Sequence, residues 1–77
     1  MEENHEWIGT DYYSLLNVSP NASNREIKKT FRKLARDLHP DKNPNDTDAE
    51  ERFKSLMAAY DVIGDSKLRL EYDKFYH

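Results

Sequence analysis

The stretch from Ser23 to Leu38 leaves this chain little choice but a helix. Ile27, Phe31, Leu34, Ala35 and Leu38 recur at the spacing of one helical face, within a stripe about 100° wide. Arg25, Lys28, Lys29, Arg32, Lys33 and Arg36 fall on the opposite side. Ser23 and Glu26 stand as an S-x-x-E capping box at the start, where each can satisfy a backbone N–H that the helix leaves open. Charged residues make up 35 % of the sequence and mean hydropathy is −1.07, values that alone would also suit a disordered chain. The clean separation of apolar and basic faces decides for an ordered amphipathic helix.

The rest of the pattern is helical as well. Asp11 to Leu16 reads as a short helix that Asp11 or Thr10 can cap, with Leu15, Leu16 and Val18 as its apolar side. Asn17 stands where that helix ends and tolerates the left-handed conformation of a C-terminal cap. Residues 41–46 (DKNPND) are a loop. Thr47 and Glu50 form a second capping box, T-x-x-E, and Phe53, Leu56, Met57, Tyr60 and Ile63 make the apolar face of a third helix that Gly64 closes. Leu68 to Phe75 is a fourth, shorter helix with Leu68, Tyr72 and Phe75 on one side. Nothing alternates as a strand would, so the fold class is all-α. The two long helices, joined by a short loop, are expected to pack antiparallel. A chain of 77 residues is one domain, read as a polar, flexible lead-in over 1–10 and a folded domain over 11–76.

The loop between the long helices holds the candidate site. Leu38 ends the helical stripe and Pro40 forbids its continuation, so His39-Pro40-Asp41 is presented on a bend with two polar side chains free for a partner. Residues 24–38 carry six basic side chains against two acidic ones in a chain of net charge −3, so everything outside this helix carries −7. Such polarity suits steering toward an acidic protein patch. Several function classes recede. A domain this small has no room for a deep substrate cavity. Cysteine is absent, and His5, His39 and His77 are too scattered for zinc, so no metal and no cofactor are expected. His39, Asp41 and Glu50 are the only acid–base candidates near one another, with no activated nucleophile or phosphate loop, so no catalysis is expected. No apolar run is long enough to span a membrane. The acidic pI of about 5.5 and the lack of aromatic residues on the basic face argue against nucleic acid.

These motifs, in this order, resemble the J domain of the Hsp40 (DnaJ) co-chaperones. Asp11-Tyr12-Tyr13-x-Leu15-Leu16-x-Val18 is similar to that family's opening, and Ile27-Lys28-Lys29-x-Phe31-Arg32-Lys33-Leu34-Ala35 to its second helix. His39-Pro40-Asp41-Lys42-Asn43 resembles its signature loop, Phe53-x-x-Leu56-x-x-Ala59-Tyr60-x-Val62-Ile63 its third helix and Arg69-x-x-Tyr72-Asp73 its fourth. Asn17 replaces the family's usual Gly, and Leu68-Arg69 its usual Lys-Arg pair. No Gly/Phe-rich segment follows Asp73 and there is no Cys-rich zinc module, so the chain looks like a J domain without the substrate-binding parts of the DnaJ type.

The resemblance implies a four-helix J-domain fold with short first and fourth helices. It implies a monomer that docks on ATP-bound Hsp70, at the nucleotide-binding domain and interdomain linker region, and stimulates ATP hydrolysis and so client capture. The implied contacts are His39, Pro40 and Asp41, together with Arg25, Lys28, Lys29, Arg32, Lys33 and Arg36 of the second helix. Asp41 would accept charge-assisted hydrogen bonds from the partner, His39 would orient the loop or bond the partner, and Pro40 would hold the loop's shape. The compartment is left open between the cytoplasm and the endoplasmic reticulum lumen.

Overall fold

A computed structural model describes residues 10–76 as four helices: α1 (Tyr12–Leu15), α2 (Asn24–Leu38), α3 (Thr47–Ile63) and α4 (Ser66–Tyr76). Most of the polar lead-in, with His5 and Trp7, lies outside the described residues, as does His77. Among the described residues no strand forms, in agreement with the all-α expectation. The central element is α3, which packs against each of the other three helices. Phe31 stacks on Tyr60 with ring centroids 3.9 Å apart, while His39 meets Phe53 edge-on at 5.6 Å. Residue numbers thus rise along α2 as they fall along α3, which makes the two long helices antiparallel.

Local chemistry explains each boundary. Asp11 caps α1, accepting from Ser14 N at 3.1 Å and from the Ser14 hydroxyl at 2.8 Å. Asn17 takes the left-handed conformation (φ 58°), and Asn17 N and Val18 N donate back to Ser14 O and Tyr13 O, closing a Schellman motif. Ser23 caps α2 through its hydroxyl, which accepts from Glu26 N at 3.1 Å. The start of α3 differs from the expected Thr47 capping box: Asp46 is the cap, accepting from Ala49 N at 3.1 Å, and Thr47 is already the first helical residue. The left-handed Asn45 (φ 66°) turns the chain into an extended Asp46, and a capping residue needs that extended backbone. Gly64 closes α3 with an ordinary φ of −81°, so freedom of rotation is not what it supplies. A Cβ there would lie 2.5 Å from both the ring and the carbonyl oxygen of Tyr60, so glycine is needed for the close approach. Asp65 then starts α4, its carboxylate accepting from Lys67 N and Leu68 N.

The core is narrower than the periodicity suggested. Tyr12, Tyr13, Leu16, Ala22, Ile27, Leu56, Ala59, Val62, Ile63 and Tyr72 form one buried cluster, with Phe31, Leu34, Leu38 and Tyr60 half-buried against it. Leu15, Met57, Leu68 and Phe75, placed on apolar faces by spacing alone, are instead substantially exposed. On α1 the two tyrosines take the inward positions. On α3 the small Ala59 sits fully buried, and Met57 lies outside. The inward face of α4 is Arg69, Tyr72, Asp73 and Tyr76, rotated away from the expected Leu68–Tyr72–Phe75 line. A polar stripe can face inward here because its groups are satisfied.

Arg69 shows how. Its Nε donates to Tyr13 Oη at 3.0 Å, Nη1 to Asn24 Oδ1 at 3.0 Å, and Nη2 to Pro20 O at 3.0 Å and Ala22 O at 2.8 Å. Tyr13 Oη in turn donates to Asp73 Oδ1 at 2.5 Å. Nearby, Tyr12 N donates to Tyr72 Oη at 3.0 Å, and Tyr72 Oη donates to Thr10 O. Burial, helped by the bond to Asp73, pushes the Tyr13 phenol up to about 12, and burial also raises Tyr72. The folded state therefore favours both phenols neutral. That contribution is complete below the ordinary tyrosine value of 10.0 and is lost as pH climbs toward about 12. In an alkaline titration, Tyr13 and Tyr72 should ionise only as the helical signal collapses in that window. Tyrosinate absorbance from all five tyrosines rising together near pH 10, with helicity intact, would contradict this.

Candidate functional site

Two features meet at the far end of α2. The first is its outer face. Arg25, Lys28, Lys29, Arg32, Lys33 and Arg36 are all exposed, because the stripe that holds α2 to α3 lies on the other side of the same helix. Among the described residues the ion pair of a lysine or arginine is Lys54 with Glu50, so none of these six cations is paired with a described carboxylate. The space between their side chains is open helix surface and encloses nothing.

The second feature is the bend that follows. His39 leaves the helix with ψ 138°, and Pro40 takes the second position of a turn closed by Lys42 N donating to His39 O at 2.9 Å. Proline suits that position because its ring fixes φ near the value the turn requires. The His39 ring packs its edge toward Phe53, and its Nδ1 accepts from Asp41 N at 3.1 Å. The neutral ring therefore carries its proton on Nε2, which faces away from this bond. That bond ties the ring to the backbone of the turn. Asp41 is the opposite kind of residue. Its side chain is 92 % exposed, and its carboxylate lies 3.8 Å from His39 Nδ1, too far for a hydrogen bond.

The structure thus brings His39, Pro40 and Asp41 together on one turn and places the six basic residues along the helix that leads to it. Two contributors were not singled out by their residue types. Phe53 supplies the surface against which His39 rests. Asn43 donates its side-chain amide to Asp37 O at 2.9 Å and to His39 O at 3.0 Å. The available signal was an asparagine just past a helix end and before Pro44, which spacing rules do not distinguish from ordinary loop composition.

The site offers an exposed carboxylate beside a row of cations, groups suited to recognising a charged partner. A half-open cleft of about 170 Å³ among Leu15, Leu34, Leu38 and Leu56 is below the range of small-molecule sites. Among the described residues no three His, Asp or Glu side chains gather as metal ligands, and no helix is long and apolar enough to cross a membrane.

Comparison with known proteins gives this surface a context. The sequence profile of the DnaJ domain matches residues 11–73. Chaperone protein DnaJ 2 of Corynebacterium glutamicum is 59 % identical over 71 residues, covering 92 % of this chain and 18 % of that protein. DnaJ-like protein 1 of Saccharomyces cerevisiae is 54 % identical over 68 residues, covering 88 % of this chain and 16 % of that protein. The chain therefore spans under a fifth of the length of these relatives. Among solved structures, the J-Trx1 fragment of ERdj5 superposes with a TM-score of 0.79 at 52 % identity, covering 86 % of this chain and 32 % of the fragment.

Proposed function

The chain belongs to the DnaJ domain family, and on that premise we propose that it docks on ATP-bound Hsp70 and stimulates hydrolysis of the bound nucleotide. The observation that carries this reading is the exposed Asp41 carboxylate at the end of a cationic helix whose six charges have no ion pair among the described residues. Arg25, Lys28, Lys29, Arg32, Lys33 and Arg36 draw the domain to an acidic patch on the Hsp70 nucleotide-binding domain and interdomain linker region. Asp41 then accepts charge-assisted hydrogen bonds there, oriented by His39 and Pro40. The domain performs no chemistry of its own. It acts as a single copy that binds the hydrolysis-competent state of Hsp70 more tightly than the resting state, and only such a difference can shift that equilibrium. Hydrolysis would in turn trap a client peptide on the Hsp70.

The test is single-turnover ATP hydrolysis by cytosolic, luminal and mitochondrial Hsp70s, titrated with the domain. At least one should be accelerated; stimulation of none would overturn the proposal. Reversing charge at Lys29 and Arg32 to Glu is expected to raise the half-saturating concentration about tenfold or more at low salt and to flatten its salt dependence. Both side chains are exposed and have no ion pair among the described residues, so the melting curve should hardly move. An unchanged half-saturating concentration would remove the basic face from the docking surface.

A further inference from the structure

We propose that Asn43 is a positioning residue for the docking loop, its side-chain amide holding the turn in the shape that presents Asp41. The proposal rests on the reading of this loop as the Hsp70 contact. Helix α2 ends with carbonyls that have no partner within the helix, as every helix does. Asn43 takes up two of the acceptors at this end. Its Nδ2 donates to Asp37 O at 2.9 Å, inside the last turn of α2, and to His39 O at 3.0 Å, just past it. Its backbone N donates to His39 O at 3.1 Å and lies 3.2 Å from Pro40 O. With Lys42 N at 2.9 Å, three donors converge on His39 O.

The consequence falls on Asp41. Residues 37 and 43 are fastened to each other from inside the loop, so the residues between them must turn outward. Among the described residues the Asp41 carboxylate has no hydrogen-bond partner to hold it in place. Its position depends on its own backbone N–H, bonded to His39 Nδ1, and on the closure that Asn43 provides. A flexible loop could still bind, but the carboxylate would be held less often where a partner needs it. Asn43 is only half-buried, and the carbonyls it serves lie near solvent. When the amide is lost, water can replace it, so the loop loosens while the fold survives.

Asn43→Asp is the sharpest test, because it keeps the shape and replaces the donating NH₂ with an acceptor facing two carbonyl oxygens. Asn43→Ala serves as the second variant should the first perturb the fold. Three measurements separate positioning from stability: the melting curve, the Asp41 and Lys42 amide resonances of the free domain, and the plateau and half-saturating concentration of Hsp70 stimulation. The expected result is a near-wild-type melt, displaced and broadened Asp41 and Lys42 amides, and a plateau reduced about tenfold or more, since small misplacements of a positioned group carry large rate penalties. The half-saturating concentration should move much less, because the basic face is untouched. An unchanged plateau beside a stimulating wild type would overturn the proposal and leave the Hsp70 reading standing. The amide measurement needs no Hsp70, so undisturbed Asp41 and Lys42 amides would overturn it even if the wild type stimulates no Hsp70.

Discussion

Asp41→Asn is expected to abolish stimulation of Hsp70 while leaving the domain as stable as before. The substitution removes one charge and keeps the shape. Among the described residues there is almost nothing to lose: the side chain is 92 % exposed, and His39 Nδ1 lies 3.8 Å away, beyond hydrogen-bond reach. A stability change within about 0.5 kcal/mol is therefore expected from thermal or urea unfolding. At the partner the same change converts a charge-assisted hydrogen bond into a neutral one and presents an NH₂ to a donor. Disrupting a charge pair in an interface costs about 2–5 kcal/mol, which would bring stimulation to background. His39→Gln should have the same functional result with a slightly lower melt, because it also gives up the edge contact with Phe53 and the acceptor for Asp41 N. Full stimulation by Asp41→Asn would sink the docking mechanism outright.

Arg69→Ala is expected to be the most damaging surface-adjacent change for the fold. It deletes four hydrogen bonds that tie α4 to Tyr13, to Asn24 and to the carbonyls of Pro20 and Ala22. It also leaves Tyr13 Oη bonded to Asp73 with no cation beside it. Two of the four bonds are exposed and two partly buried, so water can replace some of them, and the loss is about 2–3 kcal/mol. Small domains hold only about 5 kcal/mol or slightly more, so about half of the stability should be lost, with a clear drop in the urea midpoint. Leu68→Ala, one residue earlier on the outer side of the same helix, should cost far less despite removing an apolar group. Equal losses for the two in urea denaturation would show that α4 is held by its apolar residues and not by Arg69.

The contrast between those neighbours shows what could be read from residue types. Helix α2 was legible because its capping serine, apolar stripe and basic face agree. The helix order and the presence of His39, Pro40 and Asp41 on one bend followed from the same signals. The face of α4 was misassigned because spacing rules count arginine and aspartate as outward. Arg69 and Asp73 turn inward because Tyr13 and the turn at residues 20–22 meet their hydrogen-bonding needs, and those partners lie about fifty residues away in sequence. The start of α3 slipped by one residue for a related reason. Asp46 and Thr47 are both good caps, and the left-handed turn at Asn45 decides between them. Asn43 stood in the sequence only as the last residue of the signature loop; its contacts were not legible because its partners are backbone carbonyls, which any sequence would supply.

The bonds from Tyr72 to Thr10 and from Tyr13 to Asp73 place the two ends of the folded segment side by side. Helix α2 starts in the same neighbourhood, where Asn24 meets Arg69, and runs about 22 Å, at 1.5 Å per residue, before it reaches His39. A tether attached at either end of the folded segment would therefore leave from one corner, with the His39–Asp41 turn at the opposite pole. Cargo on such a leash could be exchanged, lengthened or duplicated without crossing that turn. Immobilising the domain by either end should leave the His39–Asp41 turn pointing outward.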